Sequence, residues 1–130
     1  MKSSEKGFTL IELLIVVVVI GILATIAIPK FSRMREKSYI AAVTSDLKNV
    51  ASQQEIYLSN EYTYAGSITD LGLTITDQVT ITINEATGQG WAATGTHSGY
   101  AGGQCGFYFG NAAASGASPA AQAGTVTCNN

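Results

Sequence analysis

Most of this chain has no basic residues. All seven (Lys2, Lys6, Lys30, Arg33, Arg35, Lys37 and Lys48) lie before position 49. Beyond that point only Glu55, Glu61, Asp70, Asp77 and Glu85 are charged, so residues 50–130 carry about −5, and no charge follows Glu85. A nucleic-acid-binding module needs a basic patch with interleaved aromatics on its folded part, and this distribution has the opposite sign there. Histidine occurs once, at His97, with no acid after Glu85 to partner it for catalysis or metal binding. It reads as a surface or strand-edge residue. No glycine-rich phosphate loop and no Ser/His/Asp arrangement stands out. The sequence is therefore read as non-enzymatic, with no metal and no cofactor. Cysteine is confined to Cys105 and Cys128. In an oxidising compartment the pair would close a loop of about 24 residues and contribute about 3 kcal/mol; in a cytosolic domain they would be two buried thiols.

What the chain does have is one long apolar run. Phe8 to Ile28 is broken only by Thr9, Glu12, Gly21 and Thr25, and its 21 residues make a helix of about 31 Å, a bilayer's hydrocarbon thickness. Glu12 is the anomaly in it. A carboxylate in such a segment costs about 2.5–3.5 kcal/mol near the bilayer centre and less toward the edge. It calls for a partner of positive charge. Length allows one membrane segment and one small domain.

After the run the pattern becomes amphipathic. Ile40, Val43, Leu47, Val50, Gln54 and Tyr57 recur at steps of three and four, while Arg35, Ser38, Ser45, Lys48, Asn49 and Ser52 take the other side. The spacing predicts one helix from about Phe8 to Ser59, about 78 Å if continuous. Gly21 and Pro29 are its weak points, and Pro29 is expected to kink it or open it locally. From Asn60 the texture changes. Asn60 to Asp70 reads as a loop with Tyr62 and Tyr64 available to pack against the helix. Val79–Asn84, Gln89–His97 and Gln104–Gly110 read as strands, with Thr125–Cys128 a candidate fourth. Turn signals at Ala86-Thr87-Gly88 and Gly102-Gly103 suit antiparallel connections. Asn111 to Gly124, rich in Ala, Ser and Gly, reads as a flexible loop. The fold class is α+β: a long N-terminal helical stalk packed on a small antiparallel sheet of three to four strands.

A secretory signal would share the basic start and apolar core, and Ala24-Thr25-Ile26-Ala27 imitates a cleavage site. The run exceeds a signal's usual core and carries a glutamate, which also argues against a plain signal anchor. Lys6-Gly7-Phe8-Thr9-Leu10-Ile11-Glu12, followed by the apolar helix and Pro29, resembles the type IV pilin superfamily. The resemblance is firm over residues 6–60 and only architectural over the head. It implies a leader of residues 1–7 removed by a prepilin peptidase that cuts between Gly7 and Phe8 and N-methylates Phe8. It further implies a membrane and filament-core helix at 8–29, the amphipathic half of that helix at 30–59, and a globular head at 60–130 closed by a Cys105–Cys128 disulfide.

Cleavage would create an amine at Phe8, one helical turn from Glu12. In a filament core of packed helices the carboxylate would pair with that amine in its own or a neighbouring chain, and a subunit in the wrong register would leave buried charges uncompensated. Phe8, Glu12, Gly21 and Pro29 are the expected assembly residues. The implied partners are other copies of the chain, the peptidase/methyltransferase, the membrane before assembly, and an inner-membrane assembly platform with a separate ATPase motor. The implied location is the inner membrane, head outward, then a surface filament serving adhesion, twitching motility or DNA uptake. Counting Lys and Arg beside the run favours the reverse orientation, since Lys30, Arg33, Arg35 and Lys37 outnumber Lys2 and Lys6. The basic segment 30–48 and the acidic head suggest contact between staggered subunits, weakened by salt. The alternative is a pseudopilin of a type II secretion system or a minor pilin. Such pseudopilins typically bind calcium through C-terminal acids and lack the cysteine pair, the opposite of this pattern.

Overall fold

The computed structural model describes residues 3–129; Met1, Lys2 (the first basic residue of the leader) and Asn130 lie outside them. The chain divides into two units, residues 1–35 and 36–130.

Helix α1 spans Leu10–Glu61, 52 residues, with Pro29 inside it. The helix continues through Pro29 without interruption, so the expected local opening is not a feature of this conformation. In the first unit the large apolar side chains from Leu10 to Ile28 are all exposed, from 48% at Val19 to 88% at Leu10. The polar side chain toward the end of that run is satisfied locally: the Thr25 hydroxyl donates to the Ile22 carbonyl at 2.7 Å.

In the second unit the amphipathic stripe does what its spacing predicts. Val43, Leu47, Val50 and Gln54 are buried. They face a four-stranded antiparallel meander, ordered β1 (Val79–Ala86), β2 (Gly90–His97), β3 (Gln104–Gly110), β4 (Thr127–Cys128). A shift in the β1–β2 register between Ile83 and Glu85 marks a bulge. The helix-facing core joins Val43, Leu47 and Val50 to Ile81, Trp91, Ala93, Cys105 and Phe107. Gly95 marks the closest approach: a Cβ there would sit 2.6 Å from Val43 Cγ1 and 2.7 Å from Ile81 Cδ1.

Two buried polar residues of α1 tie down the chain that follows it. Gln54 donates to the Ala65 carbonyl at 2.9 Å and accepts the Ala65 amide at 2.8 Å, so its buried amide is satisfied on both sides. Asp46 accepts the Thr76 amide and hydroxyl at 3.1 and 3.0 Å. Between these anchors lies a short helix, α2 (Ile68–Leu71), capped by Ser67 and ended by Gly72 in the left-handed region, where a loop was expected.

Three expectations need correction. Tyr64 packs as expected, its ring 6.5 Å from Trp91, but Tyr62 is 85% exposed. Tyr62 takes φ 60°, the left-handed position that ends α1, and this turns its side chain to solvent. His97 is buried rather than on the surface. Its ring stacks on Tyr39 at 4.1 Å, and Nδ1 accepts the Gly99 amide at 2.9 Å. Residues 111–124 are not a loose loop. They include a 3₁₀ turn at Ala114–Ala117, and Ala112, Ala117 and Ala120 pack with Ala92 on the sheet's second face. Asn84 donates to the Gly116 carbonyl, Gln104 to Ser118, Tyr108 to Ala121, and Glu85 accepts the Ala113 amide.

Candidate functional site

The sequence-selected residues near the N-terminus fall on both sides of the start of α1. Residues 3–9 have no regular secondary structure, and Phe8 is 91% exposed. Nothing lies within 4 Å of a Cβ built on Gly7. The Gly7–Phe8 bond is therefore in an unburied, non-helical stretch, where an enzyme can reach the backbone without unwinding the helix.

Glu12 has a partner that sequence reasoning missed. Its carboxylate accepts the Thr9 amide at 2.9 Å, while the Thr9 hydroxyl accepts the Glu12 amide at 3.2 Å. This is a reciprocal capping box, with Thr9 at the N-cap and Glu12 three residues on, and it satisfies two amides that the first turn leaves orphaned. A carboxylate at that end of a helix also sits at the positive pole of its dipole. The signal is present in the sequence as Thr-x-x-Glu before an apolar run. The bond uses Oε2, the second carboxylate oxygen makes no hydrogen bond among the described residues, and the side chain is exposed.

Gly21 and Pro29 lie further along the same helix, and nothing lies within 4 Å of a Cβ built on Gly21. Both sit on a helix long and apolar enough to cross a membrane. In the other unit Cys105 and Cys128 are joined by a disulfide between β3 and β4, and the Thr44 hydroxyl approaches Cys128 Sγ at 3.6 Å. Among the described residues no group of His, Cys, Asp and Glu is placed to hold a metal ion. Burial, with help from the Glu55 carboxylate that accepts its hydroxyl at 2.9 Å, pushes Tyr64 up to about 12.

An apolar helical half whose large side chains are exposed, opening on a capped glutamate, and a head with a core of its own define a pilin-like structural subunit. Known proteins agree. The family model described as the prokaryotic N-terminal methylation motif matches residues 2–28. The type IV major fimbrial protein FimA of Dichelobacter nodosus is 56% identical over 46 residues, 35% of this chain and 30% of that protein, so the match spans under a third of its length. The type IV wide pilus major component PilA4 of Thermus thermophilus is 36% identical over 100 residues, 74% of this chain and 76% of its own. The type II secretion system core protein G of Pseudomonas aeruginosa is 30% identical over 63 residues, 48% of this chain and 44% of that protein. The chain belongs to the type IV pilin family, within the superfamily that includes the type II secretion pseudopilins.

Proposed function

We propose that the chain is the structural subunit of a type IV pilus. It enters the inner membrane by its apolar helix, is cut between Gly7 and Phe8, is N-methylated at Phe8, and polymerises through residues 8–29 into a surface filament. The observation that carries this reading is the uncovered apolar half of α1 opening on the Thr9–Glu12 box, one residue past the reachable Gly7–Phe8 bond. In the uncut chain the glutamate is held by its own cap. Cleavage adds the cationic Phe8 amine beside it, and the free carboxylate oxygen gives that amine, or a neighbouring subunit's, a place to bind. Thr9 thereby orients Glu12, Gly21 and Pro29 shape the packing surface, and the disulfide belongs to the exported head. The peptidase, an assembly platform and a separate ATPase act on the subunit from outside, and adhesion, motility or DNA uptake is a property of the filament.

Mass spectrometry and electron microscopy of material sheared from cells test the proposal together. The expected result is filaments made of a chain that begins at methylated Phe8. Glu12→Leu should still insert and be processed yet give at least tenfold fewer filaments, on the order of the cost of leaving a buried charge unpaired. Normal yield from that variant would sink the role given to Glu12. The matches to type II secretion protein G support a second reading, a short periplasmic pseudopilus. Retention of the processed chain with the cell envelope, none of it in sheared filaments, would favour that reading.

A further inference from the structure

The head's carboxylates are not equivalent. Glu55 accepts the Tyr64 hydroxyl and Glu85 accepts the Ala113 amide, so both are engaged within the chain. The Asp70 side chain has no hydrogen bond or ion pair among the described residues, and it lines a cavity of about 200 Å³ with Gln53, Ile56, Tyr57, Asn60 and Leu71. The side-chain amides of Gln53 and Asn60 are equally unpartnered there. A carboxylate, two amide oxygens, an aromatic ring and an apolar floor are what a long cationic side chain needs: acceptors for its head, a face for cation–π contact, and cover for its methylenes. The volume holds an ammonium or guanidinium with part of its stem.

The same chain supplies such groups. Lys30 and Arg33 lie three residues apart on α1, both exposed, and neither forms an ion pair among the described residues. Every basic residue precedes position 49, and residues 50–130 carry acidic charges only.

We propose that the cavity between the last turns of α1 and α2 is the socket for Lys30 or Arg33 of a second copy of this chain. This rests on the subunit reading above and gives it a specific lateral contact. The socket fixes the stagger of two subunits by charge and shape, independently of the Glu12 pairing at the helix start.

Filaments assembled from an equal mixture of light and ¹⁵N-labelled Arg33→Lys chains, so that both positions carry an amine, provide the test. A zero-length carbodiimide coupling should yield a peptide joining Asp70 to residue 30 or 33 with one light and one heavy partner, and Asp70→Asn should abolish it. In a second arm Asp70→Lys should lower filament yield roughly two- to fivefold, the range expected of a partly exposed ion pair. Combining it with Lys30→Glu and Arg33→Glu should restore yield. Filaments that couple only through Glu61 or Asp77, or whose yield the swap leaves unrestored, would overturn the socket while leaving the subunit reading intact. A parent chain that forms no filaments would overturn both.

Discussion

Tyr62 is a residue in the wrong conformation for its type, and the consequence is measurable. A side chain at φ 60° costs about 1–2 kcal/mol relative to glycine, and nothing repays it here because the ring is exposed. Tyr62→Gly should therefore raise the head's unfolding free energy by about 0.5–1 kcal/mol, read from a denaturant titration. Tyr64, two residues on, works in the opposite sense: its ring is buried and its hydroxyl is held by Glu55. Because its folded pKa is raised from 10.0 to about 12, its contribution is complete below pH 10 and disappears as pH climbs toward 12. The stability difference between the native head and Tyr64→Phe should thus narrow across that window. An unchanged difference would show that the hydroxyl does not titrate as the burial implies. At this scale the sequence was only partly legible. Val43, Leu47, Val50 and Gln54 announce themselves by period, and Asp46 shares their face, but nothing local says that it will find Thr76. The burial of His97 depends on β2 bringing it under Tyr39, a contact across 58 positions that no neighbouring residue signals.

Among the elements, the strands were the most legible. Val-Thr-Ile-Thr-Ile alternation marks β1, and the aromatic centres at Trp91 and Phe107-Tyr108-Phe109 mark β2 and β3. The 111–124 segment was misjudged for a physical reason. Small residues look like an unstructured linker because they bury little area each, yet the same smallness lets a backbone lie directly on a sheet. Gly106 shows how close it lies, since a Cβ there would collide with the Ala117 carbonyl oxygen. Gly106→Val should cost about 2–4 kcal/mol and release the segment, seen as lost amide protection over residues 112–120. Gly66→Ala, where nothing lies within 4 Å, is the matched control and should be close to neutral.

At the scale of the molecule, the two buried clusters of the head draw all their members from residues 43–120. The apolar half of α1 contributes nothing to them. A chain lacking the first 35 residues should consequently be soluble, form the Cys105–Cys128 bond and unfold in one cooperative transition. Failure to do so would mean that the exposed apolar half supports the head in a way its contacts do not reveal. This division also accounts for why the helix start was so readable: in the proposed function its residues answer to an enzyme, a membrane and other helices, and those demands are written locally. The head answers to its own packing, which is not local.

The Cys105–Cys128 bond has a consequence for synthesis. The meander joins each strand to the one made just before it, so the sheet can grow in order of emergence. The covalent closure, however, waits for β4, which follows the other three strands. A product terminated anywhere between the two cysteines carries an unmatched thiol at position 105, a chemical mark that a finished subunit does not have. The bond therefore separates any chain that carries both β3 and β4 from one that stops between them, a difference that a thiol-reactive probe reads directly.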